Sequence, residues 1–225
     1  VSLPVLSKAF KQKKISNISN IQSRSIELSL LLSIPASLGL ILASKEIVSA
    51  LFGYGSFTIE DVNMTASALK YFGYGIPAFA LIKILSNFFF ARNNTKIPFY
   101  ISCFVVLLNI SISVYFFDKF GFIIIPIATS ISTWIGVICY IYALNSKNFL
   151  LLKGYLLKNI LKIIINTVLM SFFLFLLLNN YSLYLDFTNE FKAFYLLAIV
   201  SFVTSVYLIS CYLTGVLKVK NFKIN

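Results

Sequence analysis

The chain has 225 residues, 59% of them hydrophobic, with a mean hydropathy of +0.90 and a formal net charge of +12. A soluble domain of this length carries more polar surface, and the Lys and Arg flank apolar runs without forming a basic face, which excludes nucleic acid as a partner. The absence of His removes the commonest general base and metal ligand, so no catalytic group, metal or cofactor is expected.

The chain opens on Val1-Ser2-Leu3-Pro4-Val5-Leu6-Ser7, with no Met and no signal-peptide layout. Residues 1–25 are expected to hold the end of an upstream helix and a basic loop. Six apolar stretches follow, at 26–44, 66–90, 97–117, 121–144, 159–178 and 193–215. Each approaches the roughly 20 residues that a helix needs to cross a hydrocarbon core about 30 Å thick. The expected fold is an all-α integral membrane protein with six transmembrane helices. Cys103, Cys139 and Cys211 each fall inside a span, far apart in sequence, and read as small buried apolar residues.

Basic residues fall on every second connection. Lys8, Lys11, Lys13, Lys14 and Arg24 precede the first span; Arg92 and Lys96 follow the second; Lys147, Lys153 and Lys158 lie between the fourth and fifth spans, with Lys162 one turn into the fifth; Lys218, Lys220 and Lys223 end the chain. The alternate connections carry only Lys45, Lys119 and Lys192, beside Glu46, Glu60, Asp61, Asp118, Asp186 and Glu190. Positive residues are retained in the cytoplasm, so both ends of the chain are expected there, with six crossings between them.

Lipid tails do not drive helices together, so small and polar side chains mark helix contacts or a cavity wall. Ser29, Ser33 and Ser37 form such a stripe on the first span, followed by Pro35 and Gly39 as kink sites. Gly73, Pro77, Ala80, Lys83 and Asn87 share one face of the second. Ser102, Asn109 and Ser113 mark the third, and Thr129, Ser132, Thr133, Gly136 and Tyr140 the fourth. Each stripe alone is accounted for by helix packing; four in succession point to a shared cavity. The fifth span is apolar nearly all round beyond Asn166-Thr167, as befits a lipid-facing helix, and the sixth has a modest patch of Ser201, Thr204 and Ser205.

Lys83 is the costliest residue. It sits about seven residues from the cytoplasmic end of its span, hence ~10 Å deep at 1.5 Å per residue. At that depth an ammonium must snorkel, pair or face water. Its place on the Gly73–Asn87 face favours a hydrated cavity that receives an anionic group. No carboxylate lies within a span, Glu27 being at the edge of the first, and no paired acids or activated nucleophile suggest an intramembrane enzyme. The candidate substrate-path residues are Lys83, Asn87, Arg92, Asn109 and Thr133.

Several phrases together resemble MurJ/MviN-type lipid II flippases. Leu3-Pro4-Val5-Leu6-Ser7-Lys8-Ala9-Phe10 is similar to the end of that family's eighth helix. Leu51-Phe52-Gly53-Tyr54-Gly55-Ser56-Phe57-Thr58 resembles the segment after its ninth, and Gly75-Ile76-Pro77-Ala78-Phe79-Ala80-Leu81-Ile82-Lys83-Ile84-Leu85 its tenth helix with an embedded Lys. Phe89-Phe90-Ala91-Arg92-Asn93-Asn94-Thr95-Lys96-Ile97-Pro98 resembles the connection that follows, with Phe90 in place of Tyr and Asn94 in place of Asp. Gly215-Val216-Leu217-Lys218-Val219-Lys220 fits the family's ending.

The resemblance implies the last six helices of a fourteen-helix exporter-type fold. Residues 26–144 would complete the second transport lobe, and 145–225 would add two helices flanking a groove for a polyprenyl tail and a basic tail. It implies a flippase, not an enzyme, that moves an undecaprenyl-diphosphate-linked disaccharide-pentapeptide by alternating access, with a lipid-linked glycan substrate, membrane lipids and an upstream lobe of the same protein as partners. A polysaccharide-lipid or multidrug exporter of the same superfamily, or a non-transporting scaffold, is the alternative. The family's best-known charged contacts lie in helices upstream, so only Lys83 and Arg92 match its pattern here.

Overall fold

The computed structural model describes residues 15–217, and all its regular structure there is helical. The basic residues Lys8, Lys11, Lys13 and Lys14, the opening phrase, and Lys218, Lys220 and Lys223 lie outside the described residues. Six long helices correspond to the six expected spans: α1 (Ile15–Leu42), α3 (Ile59–Phe90), α4 (Lys96–Phe120), α5 (Ile124–Ser146), α6 (Tyr155–Asn180) and α7 (Lys192–Leu213). A short helix, α2 (Ser44–Phe52), lies between the first two. By length and apolarity these make five membrane-length stretches, because α4 and α5 run together as one 51-residue apolar segment. The chain reverses within it at Gly121, whose φ is +60°, and at the 3-10 turn Gly121–Ile123.

Two helices begin earlier than apolarity alone indicates. The Ile15–Arg24 stretch of α1 is too polar to lie in hydrocarbon, yet Ile18, Gln22 and Ser23 are buried there against protein. The start of α3 is built by Thr58 and Asp61. Thr58 N–H donates to Asp61 Oδ2 at 2.9 Å and Asp61 N–H to Thr58 Oγ1 at 3.2 Å, reciprocally satisfying donors that a helix start leaves open. Its 32 residues extend about 48 Å, well beyond a hydrocarbon core.

The chain divides into two compact units. Among the described residues, the first takes α1 as far as Ser33 together with Gly75–Lys158; the second takes Ile34–Tyr74 and the chain from Asn159 onward. Each unit draws on separated stretches of chain.

In the first unit α5 is the hub. Ala128, Ser130, Ser132, Thr133, Gly136, Val137 and Tyr140 are all buried on it. A Cβ at Gly136 would stand 2.8 Å from Val105 Cγ2 of α4 and 3.0 Å from Ile82 Cδ1 of α3. Close approach of three helices at a small residue is how apolar helices associate without a hydrophobic drive. In contrast, α4 buries only Pro98 and exposes Val106, Leu107, Ile110 and Val114. Cys103 is exposed on this helix, which corrects its reading as a buried apolar residue; Cys139 is half-buried and Cys211 buried, all three free thiols.

In the second unit Ser37 Oγ donates to Gly73 O at 2.7 Å, joining the α1 and α3 segments through the expected serine stripe. A small core of Val48, Val62 and Ala66, lined by Phe57, Leu69 and Phe187, packs α2 against the start of α3 and the loop before α7. The helix α6 is more two-sided than its composition suggests. Ile163, Asn166, Thr167, Met170 and Leu174 are buried, while Leu161, Ile165, Val168, Phe172 and Phe175 are exposed. On α7 the buried stripe is Leu196, Ile199, Val203, Tyr207 and Cys211. Polar links join the two: Asn166 Nδ2 donates to Thr214 Oγ1 at 2.8 Å, Ser210 Oγ to Asn166 Oδ1 at 2.7 Å, and Lys162 Nζ to Thr214 O at 2.8 Å.

Candidate functional site

All five candidate substrate-path residues fall in the first unit, but the structure puts their polar groups to different uses. Asn109 lies half-buried on α4 and donates from Nδ2 to Thr129 Oγ1 at 2.8 Å and to Ser132 Oγ at 3.5 Å. Thr133, 2% exposed, donates its hydroxyl to Thr129 O, and Thr129 Oγ1 donates in turn to Ile125 O at 2.8 Å. These two stripes therefore meet each other. Asn109 is held between α4 and α5, and the Thr133 hydroxyl is taken up by its own helix backbone.

Arg92 lies just past the end of α3. Its Nη1 donates to Phe88 O at 3.1 Å and its Nη2 to Phe149 O at 3.0 Å, and the guanidinium sits 4.0 Å over the Phe149 ring. This combination of planar hydrogen bonding and ring stacking suits Arg and not Lys. Burial lowers the Arg92 pKa to about 10, so the group remains a cation at neutral pH.

Phe149 belongs to the 147–154 connection, which α1 also grips. Gln22 Nε2 donates to Phe149 O at 2.9 Å, Leu151 N–H to Gln22 Oε1 at 2.9 Å, and Lys153 N–H to Ser23 Oγ at 2.9 Å. Gln22 and Ser23 are fully buried, and a buried amide or hydroxyl is costly unless paired as these are. Arg92 is thus one of three side chains that fix this connection. Neither Gln22 nor Ser23 was marked by the sequence, because the backbone they bind lies more than 120 residues away.

Lys83 differs. It is exposed on α3, and among the described residues its ammonium meets no acceptor. Asn87, one turn on, is half-buried. Along the same stripe Gly73 and Pro77 are buried and Ala80 half-buried, so the face passes from packing to an open cation within three turns. Of the five candidates, Lys83, with Asn87 beside it, keeps its polar group available for a ligand.

A second cation escaped the sequence reading. Lys192 was counted among the loop charges, yet it is 1% exposed. Its Nζ donates to Gly53 O and to Phe187 O, both at 2.7 Å, and lies 4.4 Å and 4.5 Å from the Tyr54 and Phe187 ring centroids. It ties the turn after α2 to the start of α7. The nearby carboxylates of Asp186 and Glu190 made it look like one of a solvated cluster. Among the described residues no group of His, Cys, Asp and Glu is placed to hold a metal ion.

The family model described as "Lipid II flippase MurJ" matches residues 1–197. Among curated relatives, the "Probable lipid II flippase MurJ" of Rickettsia prowazekii (strain Madrid E) is 34% identical over 186 residues, covering 82% of this chain and 36% of its own length. The "Lipid II flippase MurJ" of Thermosipho africanus (strain TCF52B) is 32% identical over 176 residues, 78% of this chain and 35% of its own. The chain therefore spans about a third of the length of these relatives. A solved structure titled "Lipid II flippase MurJ, inward closed conformation" superposes with a TM-score of 0.76 at 28% identity, covering 95% of this chain and 42% of that one.

Proposed function

Because the chain belongs to the lipid II flippase MurJ family, we propose that it forms part of a flippase for lipid II, the undecaprenyl-diphosphate-linked disaccharide-pentapeptide used in cell-wall synthesis. It moves this substrate from the inner to the outer leaflet of the bacterial cytoplasmic membrane by alternating access and performs no chemical step on it. An upstream lobe of the same protein supplies the other wall of the cavity. Residues 26–144 belong to the second lobe, as four of the last six helices of a fourteen-helix fold, and 145–225 supply the final two. Both ends of this chain lie in the cytoplasm, a reading supported by the alternation of Lys and Arg between connections.

The observation that carries the site is Lys83. A diphosphate headgroup must shed water to cross the membrane, and a cation facing a cavity replaces part of that hydration. Lys83 is the candidate whose charge is not committed to packing, and its depth in α3 suits a cavity wall. Depletion of the full-length protein separates this reading from its rivals. Lipid II accumulating on the cytoplasmic leaflet, followed by lysis, is the expected result. Drug accumulation with normal lipid II distribution would mark a multidrug exporter, and loss of partner assembly with lipid II movement intact would mark a scaffold.

A further inference from the structure

Large apolar side chains gather at one end of the second unit and stay open there. Helix α6 ends at Asn180 and α7 begins at Lys192, so the 181–191 connection lies at the edge of the hydrocarbon that these two membrane-length helices can span. Lys192 brings a second segment to the same level. Its Nζ bonds Gly53 O and faces the Tyr54 ring at 4.4 Å, which fixes the turn after α2 beside the start of α7.

This end is apolar where it is open. Leu183 is 84% exposed, Phe194 70%, Phe191 68% and Phe52 58%, and Tyr54 and Tyr184 are exposed as well. Single exposed side chains of this kind are ordinary, whereas a group on two joined segments forms a patch that something must cover. The connection is also well ordered. Tyr184 packs on Tyr195 of α7 with ring centroids 5.0 Å apart, Asn189 Nδ2 donates to Tyr184 O at 3.0 Å, and Phe191 N–H donates to Asn189 Oδ1 at 2.9 Å. Part of its backbone is thereby satisfied internally, as suits a segment that leaves bulk water.

The mixture of side chains selects the surroundings. Bulk water would leave the apolar area hydrated. Hydrocarbon would strand Asp186 and Glu190, which are exposed on the same connection. The headgroup–acyl boundary of a bilayer accommodates both, because rings and Leu enter the acyl edge, phenol hydroxyls reach ester and phosphate oxygens, and carboxylates stay in water. The patch also runs on toward the bilayer centre. Phe191 and Phe194 lead along α7 to Leu197, exposed three residues further on the same side. This continuity with an exposed apolar stripe on a membrane-length helix favours lipid over a protein partner.

We propose that the turn after α2 and the α6–α7 connection together form a membrane-interface surface whose partner is the headgroup–acyl boundary of a phospholipid bilayer. Phe52, Leu183, Phe191 and Phe194 enter the acyl edge, Tyr54 and Tyr184 sit at headgroup level, and Asp186 and Glu190 face water. The surface sets the depth at which the α6–α7 pair rests in the membrane. It is separate from Lys83 and does not depend on lipid II being the transported substrate.

The test places one spin label at a time on cysteine-free full-length protein in phosphatidylcholine bilayers, through Phe52→Cys, Leu183→Cys or Phe194→Cys. Ser56→Cys is the aqueous reference and Val168→Cys, exposed midway along α6, the hydrocarbon reference. All these positions are open, so a label is accommodated without repacking. Collision with oxygen, which concentrates in hydrocarbon, is compared with collision with a water-soluble nickel chelate. The oxygen-to-nickel ratio at the three sites should be at least about twofold above that at Ser56 and at least about twofold below that at Val168, as for labels at the interface. Ratios equal to that of Ser56 would place the surface in water, and ratios equal to that of Val168 would place it in hydrocarbon. Protection from both reagents would mean that protein covers it. Each of these three results would overturn the proposal.

Discussion

Two lysines, Lys83 and Lys192, show that a charge beside apolar sequence can have opposite fates. Lys192 has both neighbouring carbonyls as acceptors and two aromatic rings against its ammonium. Its removal strands those acceptors in a buried place. Lys192→Met should lower stability by about 2 kcal/mol or more, read as a fall in the unfolding temperature in detergent, without a change in insertion. An unchanged midpoint would show that the carbonyls find other partners. Arg92 is likewise structural in its contacts. Arg92→Ala should speed amide exchange in residues 147–153, and Arg92→Lys should restore protection only in part, since one ammonium cannot serve the Phe88 and Phe149 carbonyls while also stacking on a ring. Equal protection in all three proteins would contradict the role of Arg92 in holding this connection.

At the scale of elements, the apolar pattern marked six spans and the structure has six long helices near them. Their ends differ for a physical reason. Apolarity reports the length in hydrocarbon, whereas α1 and α3 continue as helices beyond it, sustained by burial of Ile18, Gln22 and Ser23 in one case and by the Thr58–Asp61 cap in the other. The nine-residue α2 was not legible, because its apolar residues gain meaning only from packing on Val62 of the next helix and on Phe187, which arrives from distant chain. The contacts of the candidate residues were legible only in part. Lys83 stood out as a cation in an apolar run, but the commitments of Asn109, Thr133 and Arg92 depend on which helix faces each one. Packing of α5 gives a direct check. Gly136→Ala must displace Val105 Cγ2, a methyl on a β-branched side chain with little χ1 freedom in a helix, and should cost about 1 kcal/mol, whereas Gly136→Leu overpacks the contact and should reach the upper part of the roughly 1–3 kcal/mol range. Unfolding midpoints of the two variants decide this; equal, small losses would mean that α3 and α4 do not close on α5 at this residue.

At the scale of the molecule, the arrangement of charge predicts which connections share a side. In a cysteine-free background of the full-length protein, Ser56→Cys should react with a membrane-impermeant thiol reagent in intact cells, and Ser146→Cys only after permeabilisation. Both residues are exposed, so access to protein surface does not separate them; the reverse pattern would invert the orientation. The central claim joins this topology to Lys83, the cation left uncommitted along the proposed path. Its most direct test is the leaflet distribution of lipid II in cells whose only copy of the full-length protein is wild type, Lys83→Arg or Lys83→Ala. The account predicts at least about a tenfold loss of outward lipid II movement in Lys83→Ala at equal protein level, the size of one lost charge-assisted contact, with partial retention in Lys83→Arg. Wild-type lipid II distribution in Lys83→Ala cells would contradict it.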